Sequence, residues 1–316
     1  MYRLGIDLGG TNIVAGLVDG EYKIVAKASC KTNVPRPESS ICDSMAEVAL
    51  KACEKAGVSI DEVESIGIGV PGAVNPKTGV IEYSANLHFH NWEVVKMMQE
   101  RLNKKVLIEN DANAAALGEF LAGSAKGTKN AVAITLGTGV GGGIIINGKI
   151  YSGSNFAGAE LGHMVIVKDG KECGCGRKGC WEAYSSATGL INLTKEKILS
   201  DKLDYSYMLK LADGDINKVN GKTAFDAAAA GDNDAQEVLD TYFGYLATGL
   251  VNIINIFQPD VLCIGGGISN QGENLLRPLR KIIEEERYTK HNDKQTILCT
   301  CTLGNDAGII GAAFLD

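Results

Sequence analysis

The sequence predicts an α/β protein built from two related halves. Stretches of strand character alternate with stretches of helical spacing, the signature of helices laid against mostly parallel sheets. The chain also echoes itself at a shift of 128 residues. Leu8-Gly9 falls on Leu136-Gly137, Leu17-Val18 on Ile145-Ile146, and Asp19-Gly20 on Asn147-Gly148. Each copy reads as a strand, a glycine turn, a returning strand and a hairpin turn. At roughly 150 residues per domain, 316 residues are enough for both halves.

The elements follow in order. Arg3 to Leu8 alternates, Gly9-Gly10-Thr11 turns, Ile13 to Val18 returns, and Asp19-Gly20 is a strong hairpin signal. Ser39 to Ala56 has helical spacing, with Ser44 and Glu47 as a capping box and Gly57 as the stop. Val63 to Val70 is a strand ending at Pro71-Gly72, and Val106 to Ile108 is another, leading into a helix over 112–121. Thr223 to Ala230 and Asp234 to Phe257 read as helices, and Val261 to Ile264 as a buried strand. Gly265-Gly266-Gly267 then turns towards a helix over 272–286. Without a low-complexity linker, the boundaries are crossovers. The predicted smaller N-terminal α/β domain is 1–110 with about 301–316, and the larger domain is 111–300.

Composition excludes several classes. A net charge of −7, from 31 Lys+Arg against 38 Asp+Glu with no basic cluster, argues against nucleic acid. The longest weakly polar stretch, Ala131 to Ile146, is too short to span a bilayer and carries five Gly. Asp7 interrupts any secretory h-region, so the 9 Cys are expected in a reducing compartment, the cytoplasm, as thiols or metal ligands.

Glycine turns expose backbone N–H groups to phosphate oxygens. Gly137-Thr138-Gly139-Val140-Gly141-Gly142 satisfies the dinucleotide-binding pattern literally, but a strand and hairpin turn follow where a helix is required. Gly143 to Lys149 approaches a P-loop, but Ile150 stands where a magnesium-binding hydroxyl belongs. What remains is a pair of hairpin phosphate clamps, Asp7 to Thr11 and Leu136 to Gly143. Here Asp7 would hold magnesium through water, while Thr11 and Thr138 offer hydroxyls to a nucleotide. The plainer alternative is that these glycines serve tight turns only.

His163, Cys173, Cys175 and Cys180 form H-x9-C-x-C-x4-C, with Gly174, Gly176 and Gly179 letting the loop curl. Such a Cys₃His set closes a tetrahedral structural zinc site with no open position to activate water. Cys30, Cys42, Cys53, Cys263, Cys299 and Cys301 lie in apolar contexts and read as core filler. His88, His90 and His291 have no partner pattern.

Asn110-Asp111 stands where a strand becomes a helix. It reads as an N-cap, or as a general base for a substrate hydroxyl, kept ionised by the helix dipole. Glu160 and Glu182 flank the metal loop and by themselves read as surface acids.

Together, Asp7-Leu8-Gly9-Gly10-Thr11, Glu160-Leu161-Gly162-His163 and Cys173-Gly-Cys-Gly-Arg-Lys-Gly-Cys180-Trp-Glu182 resemble the ROK family of sugar kinases and repressors. The likeness runs from residue 3 to the C-terminus, where Gly304-Asn305-Asp306-Ala307-Gly308 also fits. It implies an actin-like ATPase (ribonuclease H-like) fold with the active site in an interdomain cleft. It implies ATP and Mg²⁺ with a structural Zn²⁺, and a homodimer or higher homo-oligomer. Asp111 would be the base towards a sugar 6-hydroxyl. Asn110, Glu160, His163 and Glu182, with Gly72 and Asn86, would bind the hexose. Nucleotide contacts would come from Asp7, Gly9, Gly10, Thr11, Asn12, Gly137, Thr138, Gly139, Gly265, Gly266 and Gly267. The run Glu109 to Glu119 looks most like the family's bacterial glucokinases. N-acetylmannosamine, fructose and allose kinases share the catalytic residues, and a sugar-sensing regulator is the alternative from another class. The repressors carry an N-terminal DNA-binding module, for which the position of the first glycine turn leaves no room.

Overall fold

The computed structural model describes residues 1–84, 87–200 and 206–316. The chain opens with an antiparallel meander, β1 (Tyr2–Leu8), β2 (Asn12–Asp19) and β3 (Ile24–Lys31). Helix α1 (Glu38–Ala56) leads to β4 (Val63–Val70). A small antiparallel sheet follows, of β5 (Ala73–Asn75), β6 (Val80–Ser84) and β7 (Phe89–Trp92). Helix α2 (Val94–Leu102) and strand β8 (Lys105–Asn110) come next, and β8 runs straight into α3 (Asp111–Ala122).

The meander then recurs as β9 (Ala131–Leu136), β10 (Val140–Ile146) and the short β11 (Lys149–Ile150). A helical stretch holds α4 (Glu182–Ser185), α5 (Ala187–Ser200), α6 (Tyr207–Leu211), α7 (Thr223–Ala229) and α8 (Asn233–Phe257). The chain closes with β12 (Val261–Gly265), α9 (Glu273–Glu286), β13 (Ile297–Thr300) and α10 (Asp306–Ala313).

The two large sheets have the same plan, β3-β2-β1-β4-β8 and β11-β10-β9-β12-β13. The echo in the sequence is therefore an echo in topology. In the first sheet β1, β4 and β8 run parallel, with Asp7 opposite Gly69 and Gly69 opposite Glu109. Parallel strands covered on both faces need continuous apolar runs, and Ile66, Ile68 and Val70 are fully buried.

The chain divides into two compact units, Met1–Ala133 with Gly143–Ala159 and Cys301–Asp316, and Ile134–Gly142 with Glu160–Thr300. The sequence placed the first crossing near residue 110. In the structure α3 stays with the first unit because it packs on α10. A Cβ added to Gly311 of α10 would lie 1.7 Å from the Ala114 carbonyl oxygen, so the two helices touch backbone to backbone. Gly67 of β4 is pressed as closely against the Ala312 carbonyl. Among the described residues no helix is long and apolar enough to cross a membrane.

Two local expectations fail. Helix α1 begins at Glu38 behind Pro37, so Ser44 and Glu47 are mid-helix, and Glu47 pairs with Lys51 one turn on. A true capping box lies at Ser59 and Glu62, starting a 3₁₀ turn before β4. Of the remaining cysteines, Cys42, Cys53 and Cys263 are buried, but Cys30, Cys299 and Cys301 are only half-buried and do not fill the core. Cys30 lies on β3 and Cys299 on β13, the outermost strands of their sheets, which have a neighbour on one side only.

Candidate active site

The predicted site residues gather in two constellations, one in each unit. In the first unit they collect at the carboxyl ends of β1, β4 and β8, the edge where ligands bind in parallel sheets. The turn after β1 closes with Gly9 N donating to the Asn12 carbonyl at 2.9 Å. The buried Thr32 fastens that turn from behind. Its N–H donates to the Thr11 carbonyl (2.9 Å) and its hydroxyl to the Gly9 carbonyl (2.6 Å). A cavity of about 680 Å³ opens on the turn, lined by Asp7, Gly9, Gly10, Thr11 and Asn12 with Lys27 and Asp306.

After β4, Gly72 has φ +130°, and an added Cβ would lie 2.3 Å from the Tyr83 carbonyl oxygen, so only glycine fits. Its own carbonyl accepts from Asn110 Nδ2 at 3.1 Å. Asn110 also caps α3, its Oδ1 accepting from Ala112 N (2.9 Å) and Asn113 N (3.2 Å). Asp111 is the first residue of α3, and its Oδ1 shares the Ala112 N–H at 2.9 Å. The cap and the acid are thus two neighbouring residues.

Burial overrules the helix dipole at this acid. It raises the Asp111 carboxyl above its ordinary value despite the opposing N–H groups of Ala112 and of Asp111 itself. Burial, and then the Asp111 charge, pushes Asp7 up to about 6. Asn86 lies outside the described residues.

In the second unit the glycine turn after β9 is fastened the same way. The Gly137 carbonyl accepts from Ala187 N (2.9 Å) and the Thr138 carbonyl from the Thr188 hydroxyl (2.8 Å). Gly266, at φ +85°, lies against Leu136: an added Cβ would sit 2.4 Å from that carbonyl oxygen. This brings the Gly265–Gly267 turn beside Gly137–Gly139. Gly162 is packed equally closely on the Val140 carbonyl, so the Glu160–His163 turn rests on the start of β10.

The cysteine loop completes this constellation. Isolated bridges, Val165 to Cys180 and Glu172 to Lys178, close it, and the buried Trp181 anchors it by donating to the Tyr245 carbonyl on α8. The ligand atoms of His163, Cys173, Cys175 and Cys180 all lie within 4.8 Å of one another. Cys173 Sγ stands 3.7 Å from His163 Nδ1, and Cys175 Sγ stands 3.7 Å from Cys180 Sγ. A tetrahedron with bonds of about 2.3 Å has edges of about 3.8 Å, so the donor set fits zinc in kind and in spacing. Burial pushes the Cys173 thiol up to about 12 and raises Cys180, while the Arg177 N–H lowers Cys175. A cation entering must displace those protons. Glu182 joins the parts: Oε2 accepts from Val140 N at 2.9 Å and Oε1 from the Cys173 thiol at 3.5 Å.

The sequence reading missed Thr32, Glu109 and Asn113. Glu109 had one signal, an acid directly after the apolar run Val106 to Ile108.

Two sheets of one plan, each with a fastened glycine turn after its first strand, define the actin-like ATPase fold. The chain belongs to the ROK family, whose profile matches residues 3–316. It is 37% identical over 311 residues to the glucokinase of Thermotoga maritima, covering 98% of this chain and 95% of that one. It is 31% identical to the xylose repressor of Bacillus subtilis, covering 98% of this chain and 75% of the repressor. Among solved structures, the ROK glucokinase from Streptomyces griseus in complex with glucose and AMPPNP superposes with a TM-score of 0.80 at 34% identity. That match covers 99% of this chain and 98% of the other.

Proposed function

We propose that the protein is a glucokinase, transferring the γ-phosphoryl group of ATP to the 6-hydroxyl of glucose. The observation that carries this reading is the half-buried Asp111 carboxyl at the start of α3, its proton affinity raised and its charge felt by Asp7, at the ligand-binding edge of the sheet. A base whose proton affinity is raised takes a hydroxyl proton more readily near neutral pH than an ordinary carboxylate does.

Asp111 orients and deprotonates the 6-hydroxyl as the phosphoryl group moves. Asn110 has committed its oxygen to the cap and one Nδ2 hydrogen to Gly72, which leaves its second Nδ2 hydrogen for a sugar hydroxyl. Glu182 has committed Oε2 to Val140 and would meet the sugar through Oε1. Gly72, Glu160 and His163 complete the hexose contacts, and Asn86 belongs to this set on family resemblance. The peptide N–H groups of Gly9–Asn12 and of Gly137–Gly139 bind phosphate, and Gly265–Gly267 lies beside Gly137–Gly139 for the nucleoside. Asp7 would hold a magnesium ion through water, and that ion would supply neutralisation of phosphate charge. His163, Cys173, Cys175 and Cys180 would together fill all four positions of a zinc ion, which would fix the loop that carries His163 and Glu182. Nine cysteines, three of them so grouped with His163, support a reducing cytoplasmic setting, and the resemblance supports a homodimer or higher homo-oligomer.

A coupled ADP-release assay across glucose, N-acetylmannosamine, fructose, mannose and allose, with Asp111→Ala alongside, tests this. Glucose should give the highest kcat/KM. The variant should bind sugar but lose about 10²–10⁴-fold in kcat, the usual cost of a lost general base. Another preferred sugar would move the substrate to a different kinase of the family, and a variant keeping more than about a tenth of kcat would remove Asp111 from its role.

A further inference from the structure

The carboxyl end of β8 holds a second acid. Glu109 is 5% exposed, and its Oε1 accepts from Asn110 N at 2.9 Å and from Asn113 Nδ2 at 3.0 Å. Asn113 is 2% exposed. Its N–H donates to Asn110 Oδ1, while its own Oδ1 is buried with no hydrogen-bond partner among the described residues. A buried carboxyl without an ion pair and an amide with an orphaned oxygen are both expensive, and an apolar pair of similar volume would stabilise the strand and helix better.

What the pair does is geometric. Its hydrogen bonds tie Asn110 to Asn113, the one turn that carries Asp111. The register places that turn further. Asp7 and Glu109 lie in register on either side of Gly69, so all three project to the same face of the sheet. A Cβ on Gly69 would point at the Asp111 Cα from 3.7 Å and at the Ala114 Cβ from 3.5 Å. The first turn of α3 therefore rests on a bare glycine and is flanked by two acids.

We propose that Glu109 is a positioning residue for phosphoryl transfer: by holding Asn110 and Asn113 it fixes the turn that aims the Asp111 carboxylate. The proposal rests on the reading of Asp111 as the base. The two bonds to Glu109 Oε1 need an acceptor and not a charge, since a glutamine oxygen can accept from both donors.

The test compares Glu109→Ala, Glu109→Gln and Asn113→Ala in the full chain. Glu109→Ala and Asn113→Ala should each lower kcat at least about tenfold with the KM for glucose within about threefold, as for a misaligned reacting group. Glu109→Gln should restore most of the rate. A second readout needs no turnover: ¹³C titration of the Asp111 carboxyl, with Asp7 on β1 and Glu109 on β8 as the other titrating groups flanking its turn. Releasing the turn should hydrate Asp111, so its midpoint should fall in both alanine variants and stay put in Glu109→Gln. A midpoint unmoved in the alanine variants overturns the proposal, as does Glu109→Gln behaving like Glu109→Ala. If the unaltered protein turns over no sugar but the Asp111 midpoint still falls in the alanine variants, the kinase reading fails and the positioning by Glu109 stands.

Discussion

Glu182 Oε2 accepts a 2.9 Å hydrogen bond from Val140 N, so the acid that ends the cysteine loop also caps the glycine turn. Its other oxygen faces the Cys173 thiol at 3.5 Å. Stripping a metal held by His163 and the three cysteines should therefore reach beyond the loop. Chelated protein is expected to lose turnover and melt earlier, and one equivalent of zinc per chain should restore both, with protons released on binding. Metal content, melting temperature and kcat measured on the same samples decide it. Full turnover in zinc-free protein would leave the bond between Glu182 and Val140 without a catalytic consequence.

Asp7 makes stability depend on pH in a definite sense. Its folded-state value of about 6 lies above the ordinary 3.8, so the folded chain holds this proton more tightly than the unfolded one. That contribution is fully present below the ordinary value and is lost as pH rises through about 6, amounting to about 3 kcal/mol. Asp7→Asn should match the unaltered protein near pH 4 and exceed it in stability at pH 8, while losing activity. Urea midpoints at the two pH values test it, and an equal difference at both would show that Asp7 carries no such cost.

How far this could be read from the sequence depends on the range of the interactions. The echo of β1–β2 in β9–β10 was legible because strand alternation and glycine turns are local patterns. So was the grouping of His163 with the three cysteines, since three of the four ligands fall within eight residues. The extent of helix α1 was legible, but its cap was not: Ser44 and Glu47 have the spacing of a capping box yet lie inside a helix that starts at Glu38 behind Pro37. The small sheet of β5–β7 was not foreseen. The contacts of Thr32 with Gly9, Glu182 with Val140, and Glu109 with Asn113 join side chains to partners that no periodicity announces. The raised proton affinity of Asp111 was the opposite of what the helix dipole alone suggests, because burial depends on what packs above it.

The packing of α10 allows no side chain at its crossing with α3. A Cβ at Gly311 would stand 1.7 Å from the Ala114 carbonyl oxygen and 2.8 Å from Gly118 N, both backbone atoms that cannot swing away. Gly311→Ala should destabilise the first unit by more than about 3 kcal/mol, beyond ordinary overpacking. Gly308→Ala, where an added Cβ meets nothing within 4 Å, is the control and should be neutral or stabilising. Thermal unfolding of the two variants separates close approach from any general effect of alanine in this helix.

Thr32 offers the sharpest test of the first glycine turn. It is fully buried, and its hydroxyl donates to the Gly9 carbonyl at 2.6 Å while its N–H holds the Thr11 carbonyl. Thr32→Val keeps the shape and the N–H but leaves the Gly9 carbonyl without its hydroxyl partner, a loss of about 1–3 kcal/mol. The turn would then be free to rotate the peptide that presents the Gly10 N–H, so the KM for ATP should rise several-fold while the KM for glucose holds. Thr32→Ser retains the hydroxyl and should keep nucleotide affinity near that of the unaltered protein. If valine and serine raise the ATP KM alike, the hydroxyl has no part in shaping the turn, and Thr32 is held there for its methyl group alone.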